Sequence, residues 1–279
     1  MSDRRVAVVT GTSSGIGLHT AVGLAKRDVR VVATMRDTGK SAHLLEIAGH
    51  HGVDLEVREL DVTDRATRLR ALDEVTAEFG TIDILVNNAG TSVAGSLEQL
   101  DDAALQSQFD VNFHGVAALT RHVLGPMRRA GSGRIVTVTS DGGTVGEPFL
   151  DAYCASKFAV EGLMQSLAPV AARFGIAVSV VEPAAVETSI VRNTDMRCLG
   201  TDPDGQYGPL AEKFMQFITD AFGKPQSPWD AAAVVVDAAT TGTPRFRWQT
   251  SEAAAASVAR SLRDLDGSAV TSAMSDILR

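Results

Sequence analysis

Six times along this chain a short aliphatic, largely β-branched run gives way to a longer segment with helical spacing, and that alternation limits the fold more than any other feature. The runs occupy residues 5–10, 30–35, 55–60, 82–86, 134–139 and 176–181. Runs this short and this continuously apolar belong to strands covered on both faces, and strands joined by helices run parallel. The expectation is an α/β fold, a doubly wound parallel sheet of about seven strands, with residues 1–279 forming one domain. A seventh strand is expected near 245–248. Helices are expected from the glycine turn to about residue 26, and at about 38–48, 64–79, 102–129, 151–174 and 229–240. The alanine-rich tail from Ser251 also reads as helical. Open sheets of this kind bind ligands at the carboxyl ends of their strands.

The first strand leads directly into Gly11-Thr12-Ser13-Ser14-Gly15-Ile16-Gly17 and then a helix. Glycines there let main chain approach a pyrophosphate, and the helix start offers free N–H groups and partial positive charge. The spacing is Gly-x3-Gly-x-Gly, which differs from the Gly-x-Gly-x2-Gly of the larger dinucleotide-binding group. Arg36 follows the second strand, where an acid would take a ribose 2′-hydroxyl and an arginine suits a 2′-phosphate. With the Ser14 hydroxyl nearby, this favours NADP(H); the alternative has Arg36 solvated and Asp37 on the ribose, giving NAD(H).

Two further strand ends carry polar residues. Asp61 after the third strand could accept from an adenine amine while Val62 packs on the base, or Asp61 or Thr63 could cap the next helix. The fourth strand closes in Asn87-Asn88-Ala89-Gly90, small enough for a cofactor to lie on the main chain, although two asparagines also suit a plain polar turn. Asn112 sits inside a long helical pattern, a poor position for asparagine unless it bonds back to its helix or serves function.

The reactive stretch is SDGGTVGEPFLDAYCASK, Ser140 to Lys157. Tyr153 and Lys157 are four apart and share a helix face, so the ammonium is expected to lower the phenol's pKa and make it an acid/base. Ser140, thirteen positions earlier at a strand end, could orient a substrate oxygen. Taken alone, the pair also fits a solvated helix face; the nucleotide-binding signals give it chemical meaning.

Residues 189–228 break the rhythm with Gly200, Pro203, Gly205, Gly208 and Pro209, then Phe214, Met215, Phe217, Ile218 and Phe222 at helical spacing. The segment reads as a substrate lid with an apolar inner face, or as a surface helix packed on the domain. A net charge of −8 argues against sequence-independent nucleic-acid binding. No apolar run reaches membrane-spanning length and no export signal is seen, so an unexported, cytoplasmic protein without an integral membrane segment is expected. Its two cysteines, Cys154 and Cys198, fit a reducing compartment, with Cys154 a packing residue rather than a reactive thiol. No metal site is expected.

Thr10-Gly11-x3-Gly15-x-Gly17, Asn87-Asn88-Ala89-Gly90, Asn112, Ser140 and Tyr153-x3-Lys157 together resemble the short-chain dehydrogenases/reductases across residues 5–190. More loosely, 32–37, 140–163 and 266–274 resemble the branch holding 17β-hydroxysteroid dehydrogenase type 1 and retinol dehydrogenases. The resemblance implies a Rossmann-type fold and a tetrad. Tyr153 would be acid/base and Ser140 the carbonyl-orienting group. Lys157 would activate Tyr153 and hold the nicotinamide ribose, and Asn112 would hold a relay water. It implies cofactor contacts at Gly11, Ser13, Ser14, Gly15, Ile16, Gly17, Arg36, Asp61, Val62, Asn88, Ala89, Gly90, Tyr153, Lys157, Pro183, Val186 and Thr188, with Thr188 on the carboxamide. It implies a homodimer or homotetramer through the helices at 102–129 and 151–174. One departure is Pro183-Ala184 where the family has Pro-Gly. The reaction expected is hydride transfer between NADP(H) and a ketone or secondary alcohol, the substrate bulky and apolar, such as a steroid, retinoid or polyketide. The rivals are an epimerase or dehydratase on the same scaffold, and a non-catalytic NADP(H) sensor.

Overall fold

A computed structural model describes residues 4–202 and 204–279; Pro203 of the expected lid lies outside them. Seven parallel strands form one sheet in the order β3-β2-β1-β4-β5-β6-β7. They are β1 (Val6–Thr10), β2 (Arg30–Met35), β3 (Glu56–Glu59), β4 (Ile84–Asn87), β5 (Gly133–Val138), β6 (Ile176–Glu182) and β7 (Arg247–Gln249). The strand order reverses at β1, so a crevice opens between the ends of β1 and β4.

Period-two alternation explains the two-sided core. Val8, Val32, Leu85, Ile135 and Val180 pack on one face with Leu72, Leu119 and Met164. Ala7, Val9, Ala33, Ile84 and Val136 pack on the other with Leu18, Leu24, Leu44 and Val235. The central strands β1, β2, β4, β5 and β6 therefore bury both sets of side chains, as their apolar runs require, while the edge strands β3 and β7 are only partly covered.

The covering helices are α1 (Gly15–Ala25), α2 (Ala42–His50), α3 (Arg65–Phe79), α4 (Asp102–Phe109), α5 (Val116–Ala130) and α6 (Asp151–Ala172). Beyond β6 come α7 (Ser189–Asn193), α8 (Gly208–Ala221), α9 (Pro228–Thr240), α10 (Glu252–Arg263) and α11 (Ser268–Ile277). Two expected helices are interrupted. The one at 38–48 starts as a 3₁₀ turn, Thr38–Lys40, because the Asp37 carboxylate accepts from Gly39 N and caps it; α2 follows. The one at 102–129 widens into a π-helical turn, Asp110–Gly115, which joins α4 to α5 and carries Asn112. Such turns are rare and concentrate at functional positions.

The segment at 189–228 is clamped to the loop after β4. Ala94 N donates to Asp195 O at 2.9 Å, and Asp195 N donates to Ser92 O at 2.9 Å. Gln99 Nε2 donates to the carbonyls of Leu199 and Thr201, and the Tyr207 hydroxyl to Glu98. In α8 Phe214 is buried and Met215 exposed, so the inner face is narrower than the apolar spacing suggests. The Phe214 ring lies 5.5 Å from that of Phe149, which joins α8 to the loop before Tyr153.

Candidate active site

The joint between β1 and β4 is built from the glycine turn. Thr10 Oγ1 accepts from the N–H groups of Asn88 (2.9 Å) and Ala89 (3.0 Å), and Asn88 Nδ2 donates back to Thr10 O and Gly11 O. A Cβ on Gly11, whose φ is +70°, would stand 2.7 Å from Ala89 Cα, and one on Gly17 would overlap the Asn88 side chain. Gly11 and Gly17 are therefore also required by contacts within the protein, in addition to any approach to a pyrophosphate. Asn87 donates to Thr120 and Thr137, so both asparagines brace the sheet edge and the plain-turn alternative is set aside.

The start of α1 has the chemistry to receive an anion. Ser14 occupies its N-cap position without a side-chain cap, and the first turn carries no acid. By contrast α3, α4, α9 and α10 are capped by Asp64, Asp101, Ser227 and Ser251. The uncapped N–H groups at Gly15 and Ile16 leave a site for phosphate oxygens. Ser14 Oγ lies 2.8 Å from Ser189 Oγ at the start of α7. Ser13 is half-buried in the same turn.

Arg36 is exposed at the end of β2, with no hydrogen bond or ion pair among the described residues. The Asp37 carboxylate is engaged with Gly39 N at 3.0 Å. Asp61 Oδ1 accepts from Thr63 N (2.9 Å) and Thr63 Oγ1 (2.7 Å), closing a local turn. Neither Asp61 nor Thr63 caps α3; Asp64 does. Val62 packs against Gly115 and the core, so most of its side chain faces protein.

Asn112 is buried and both side-chain amide atoms are bonded. Oδ1 accepts from Thr91 N at 3.0 Å; Nδ2 donates to Thr91 O at 3.0 Å and Ser156 Oγ at 3.1 Å. It braces α6 against the loop after β4. Ser140 Oγ accepts from Gly142 N (3.1 Å) and donates to Asp141 Oδ1 (3.2 Å). Gly142 lies between Ser140 and Tyr153: a Cβ there would be 3.4 Å from Ser140 Oγ and 3.3 Å from Tyr153 Cε1. Lys157 Nζ stands 5.7 Å from the Tyr153 ring centroid and donates to Val138 O at 3.2 Å.

Electrostatics correct one expectation. The Tyr153 phenol is pushed above its ordinary value, first by burial and then by the carboxyls of Glu147 and Asp141 and the Cys154 thiol, while Ser140 pulls it back. The expected acidification by Lys157 does not prevail in the protein alone. Burial lowers Lys157 to about 8, with Glu161 opposing. Burial raises Glu147 to about 8, and Asp141 is raised for the same reason. Burial likewise raises the Cys154 thiol, whose sulfur accepts from Glu147 N at 3.4 Å; it is a packing residue, as its sequence context suggests.

Beyond β6, Pro183 O accepts from Asp141 N, tying this strand end to the Ser140 loop. Ala184 is absent from the positive-φ residues, so alanine fits here without backbone strain. Val186 pairs with Gln226 through a parallel bridge. The Thr188 methyl group would stand 3.0 Å from a Cβ on Gly15, so this residue closes over the start of α1. The edge near β1 and β4 therefore gathers Gly15, Asn88, Gly90, Asn112, Lys157 and Thr188: a Cβ on Gly90 would lie 3.8 Å from Lys157 Nζ and 3.6 Å from Asn112 Oδ1. Arg36, Asp61 and Val62 stand on the β2–β3 side. Among the described residues no cluster of metal-ligating groups and no helix long and apolar enough to cross a membrane is present.

A family model described as short chain dehydrogenase matches residues 5–198. The chain belongs to the short-chain dehydrogenase family. This short-chain dehydrogenase is similar to retinol dehydrogenase 8 of Bos taurus, 37% identical with 95% of this chain and 87% of the relative covered. It is 36% identical to 17-beta-hydroxysteroid dehydrogenase type 1 of Homo sapiens, covering 97% of this chain and 85% of that one. Among solved structures it is similar to a short chain dehydrogenase/reductase from Burkholderia phymatum in complex with NAD, with a TM-score of 0.80, 26% identity and 95% of each chain covered. It is also similar to a single-residue variant of actinorhodin polyketide ketoreductase with NADPH, with a TM-score of 0.76, 30% identity, and 89% of this chain and 96% of that chain covered. The chain is an oxidoreductase of this family, and the uncapped start of α1 beside the β1–β4 crevice fits a nicotinamide dinucleotide.

Sequence reading missed Thr91 and Ser156, which hold Asn112, and the Thr139–Glu161–Arg247 contacts behind Lys157. No local pattern marks residues that meet only through the fold.

Proposed function

We propose that this single-domain chain is an NADP(H)-dependent ketoreductase or alcohol dehydrogenase acting on a bulky, apolar ketone or secondary alcohol. The observation that carries the reading is the convergence of Ser140, Tyr153 and Lys157 at the strand ends, with Gly142 wedged between the first two. Arg36, exposed and without a partner among the described residues, supports a 2′-phosphate, and one oxygen of Asp37 is engaged in capping its own turn rather than turned to a ribose. Phe149, Leu150 and the lid residue Phe214 support apolar substrate walls. The free, buried cysteines accord with a cytoplasmic setting. Exposed Phe158, Val170 and Phe174 on or just past α6 accord with a homodimer or homotetramer.

When bound, the nicotinamide supplies the hydride for reduction and takes it up for oxidation. The protein's part is position and proton. A phenol held above its ordinary pKa stays neutral at pH 7, so Tyr153 is a proton donor for a carbonyl oxygen, with Ser140 Oγ a second donor to the same atom. The Lys157 ammonium lies beneath the ring and stabilises the phenolate that remains. Asn112 keeps α6 in register with the loop after β4 and would hold a relay water.

The test is NADPH oxidation against a broad panel of ketones and aldehydes, run with wild type and Tyr153→Phe. Wild type should consume NADPH in proportion to alcohol formed, which an epimerase, a dehydratase or a nucleotide sensor would not do. Tyr153→Phe should lose at least about 100-fold in turnover while binding NADPH unchanged by fluorescence. Near-full turnover by that variant would remove Tyr153 from the chemistry.

A further inference from the structure

Behind Lys157 the structure buries three further charged side chains from three elements. Glu161 of α6 is 4% exposed, Glu182 of β6 is 0% exposed, and the Arg247 side chain of β7 is 19% exposed. Arg247 Nη1 donates to Glu161 Oε2 at 2.8 Å and to Glu182 Oε1; Gln249 Nε2 donates to the other Glu182 oxygen. Thr139 Oγ1 donates to Glu161 Oε1 at 2.6 Å. One guanidinium faces two carboxylates, so the ionised trio carries one net negative charge. An uncompensated buried charge costs several kcal/mol. Lys157, 6% exposed and one helical turn before Glu161, is the nearby buried cation whose charge would balance the set.

The positions reinforce the charge balance. Val138, Thr139 and Ser140 are consecutive: the first accepts from Lys157 Nζ, the second donates to Glu161, and the third carries the substrate-orienting hydroxyl. Glu161 Cγ would stand 3.0 Å from a Cβ on Gly143, directly under the catalytic loop.

We propose that Glu161 is a positioning residue for the reaction, the buried counter-charge that keeps Lys157 an ammonium, itself held in place by Arg247 and Thr139. The inference rests on the proposed role of Lys157 beneath Tyr153. Around Glu161 stand Thr139 from the end of β5 and Arg247 from β7, which bond to it, and Glu182 from β6, which shares Arg247; Lys157 lies one turn earlier on the same helix, outside ion-pair distance, and is reached through its charge. Burial drives Lys157 towards the neutral amine, and Glu161 is the charge that opposes it. Glu161 itself, raised by burial to about 7, is held partly ionised by Thr139 and Arg247.

The experiment is NMR titration of Lys157 Nζ in ¹⁵N-lysine-labelled protein without nucleotide, alongside the pH profile of kcat/KM for reduction. In Glu161→Gln the Lys157 transition should fall by about one pH unit or more, and the alkaline limb of the profile should move the same way. Glu161→Asp should restore both, and Glu182→Gln, an equal disturbance of Arg247, should move them less. Should Glu161→Gln fail to fold, Lys157→Met gives the reciprocal reading: the Glu161 carboxyl, followed by ¹³C, should titrate higher once its cation is gone. An unchanged Lys157 transition in Glu161→Gln, an equal shift in Glu182→Gln, or an unmoved Glu161 in Lys157→Met each overturns the proposal. Those outcomes together with an inactive Tyr153→Phe leave the oxidoreductase reading standing; an active Tyr153→Phe removes that reading whatever Lys157 does.

Discussion

The proposed choice of nucleotide rests on a single side chain, Arg36. It stands exposed at the end of β2 while the neighbouring carboxylate is engaged with Gly39 N. In Arg36→Ala the preference for NADPH over NADH, measured by fluorescence titration, should shrink by about tenfold or more, because a charge-assisted contact to phosphate contributes about 1.5–3 kcal/mol. Equal affinities already in wild type would remove the 2′-phosphate assignment. At this scale the sequence located residues through their place in a motif: Arg36 stands exposed at the end of β2, and Ser140, Tyr153 and Lys157 come together around Gly142 and Val138. It was not readable where neighbours set the behaviour. Tyr153 is raised rather than lowered because burial and two carboxyls outweigh one ammonium, a sum that local spacing does not contain.

Elements were legible in proportion to their apolar content. The central strands, continuous in valine and isoleucine, lie within a residue or two of expectation. The edge strand β7 is three half-buried residues paired only with β6, so it carries little pattern and falls later than expected. The π-helical turn at Asn112 leaves no trace in hydrophobic spacing, since one added residue per turn hardly changes which positions are apolar. Helix α8 buries one side chain, Phe214, against the loop before Tyr153, and is further tied through Lys213 to Leu278 O and through Gly208 N to Asp202. If this segment is a lid, Phe214→Ala should loosen α8 locally: proteolysis within residues 204–222 should quicken by about tenfold or more, and KM for the carbonyl substrate should rise more than kcat falls. Unchanged proteolysis would mean that α8 is fixed by other contacts and is not a lid.

For the molecule as a whole, the buried ionisable groups set a pH dependence of stability. Glu147 and Glu161 are raised from 4.5 to about 8 and about 7, so the folded chain binds more protons than the unfolded one in that window and loses stability as pH climbs through it. Lys157, lowered from 10.5 to about 8, acts oppositely above pH 8, where stability recovers. Glu147→Gln should therefore raise Tm by about 2 °C or more at pH 8 to 9 and change it little near pH 5; a gain of equal size at both would show that the carboxyl's ionisation is not the cause. The Glu161–Arg247–Glu182 set also shows where global reading stops: its partners lie 86 and 65 residues apart, and only the folded sheet brings them together. A last consequence follows from the turn after β1. Since side-chain bulk at Gly11 or Gly17 collides with Ala89 or Asn88, this loop is a keystone as well as a cradle. Attempts to retool the enzyme for another coenzyme should leave it intact and work at the periphery, around Arg36, where substitution does not unseat the arch.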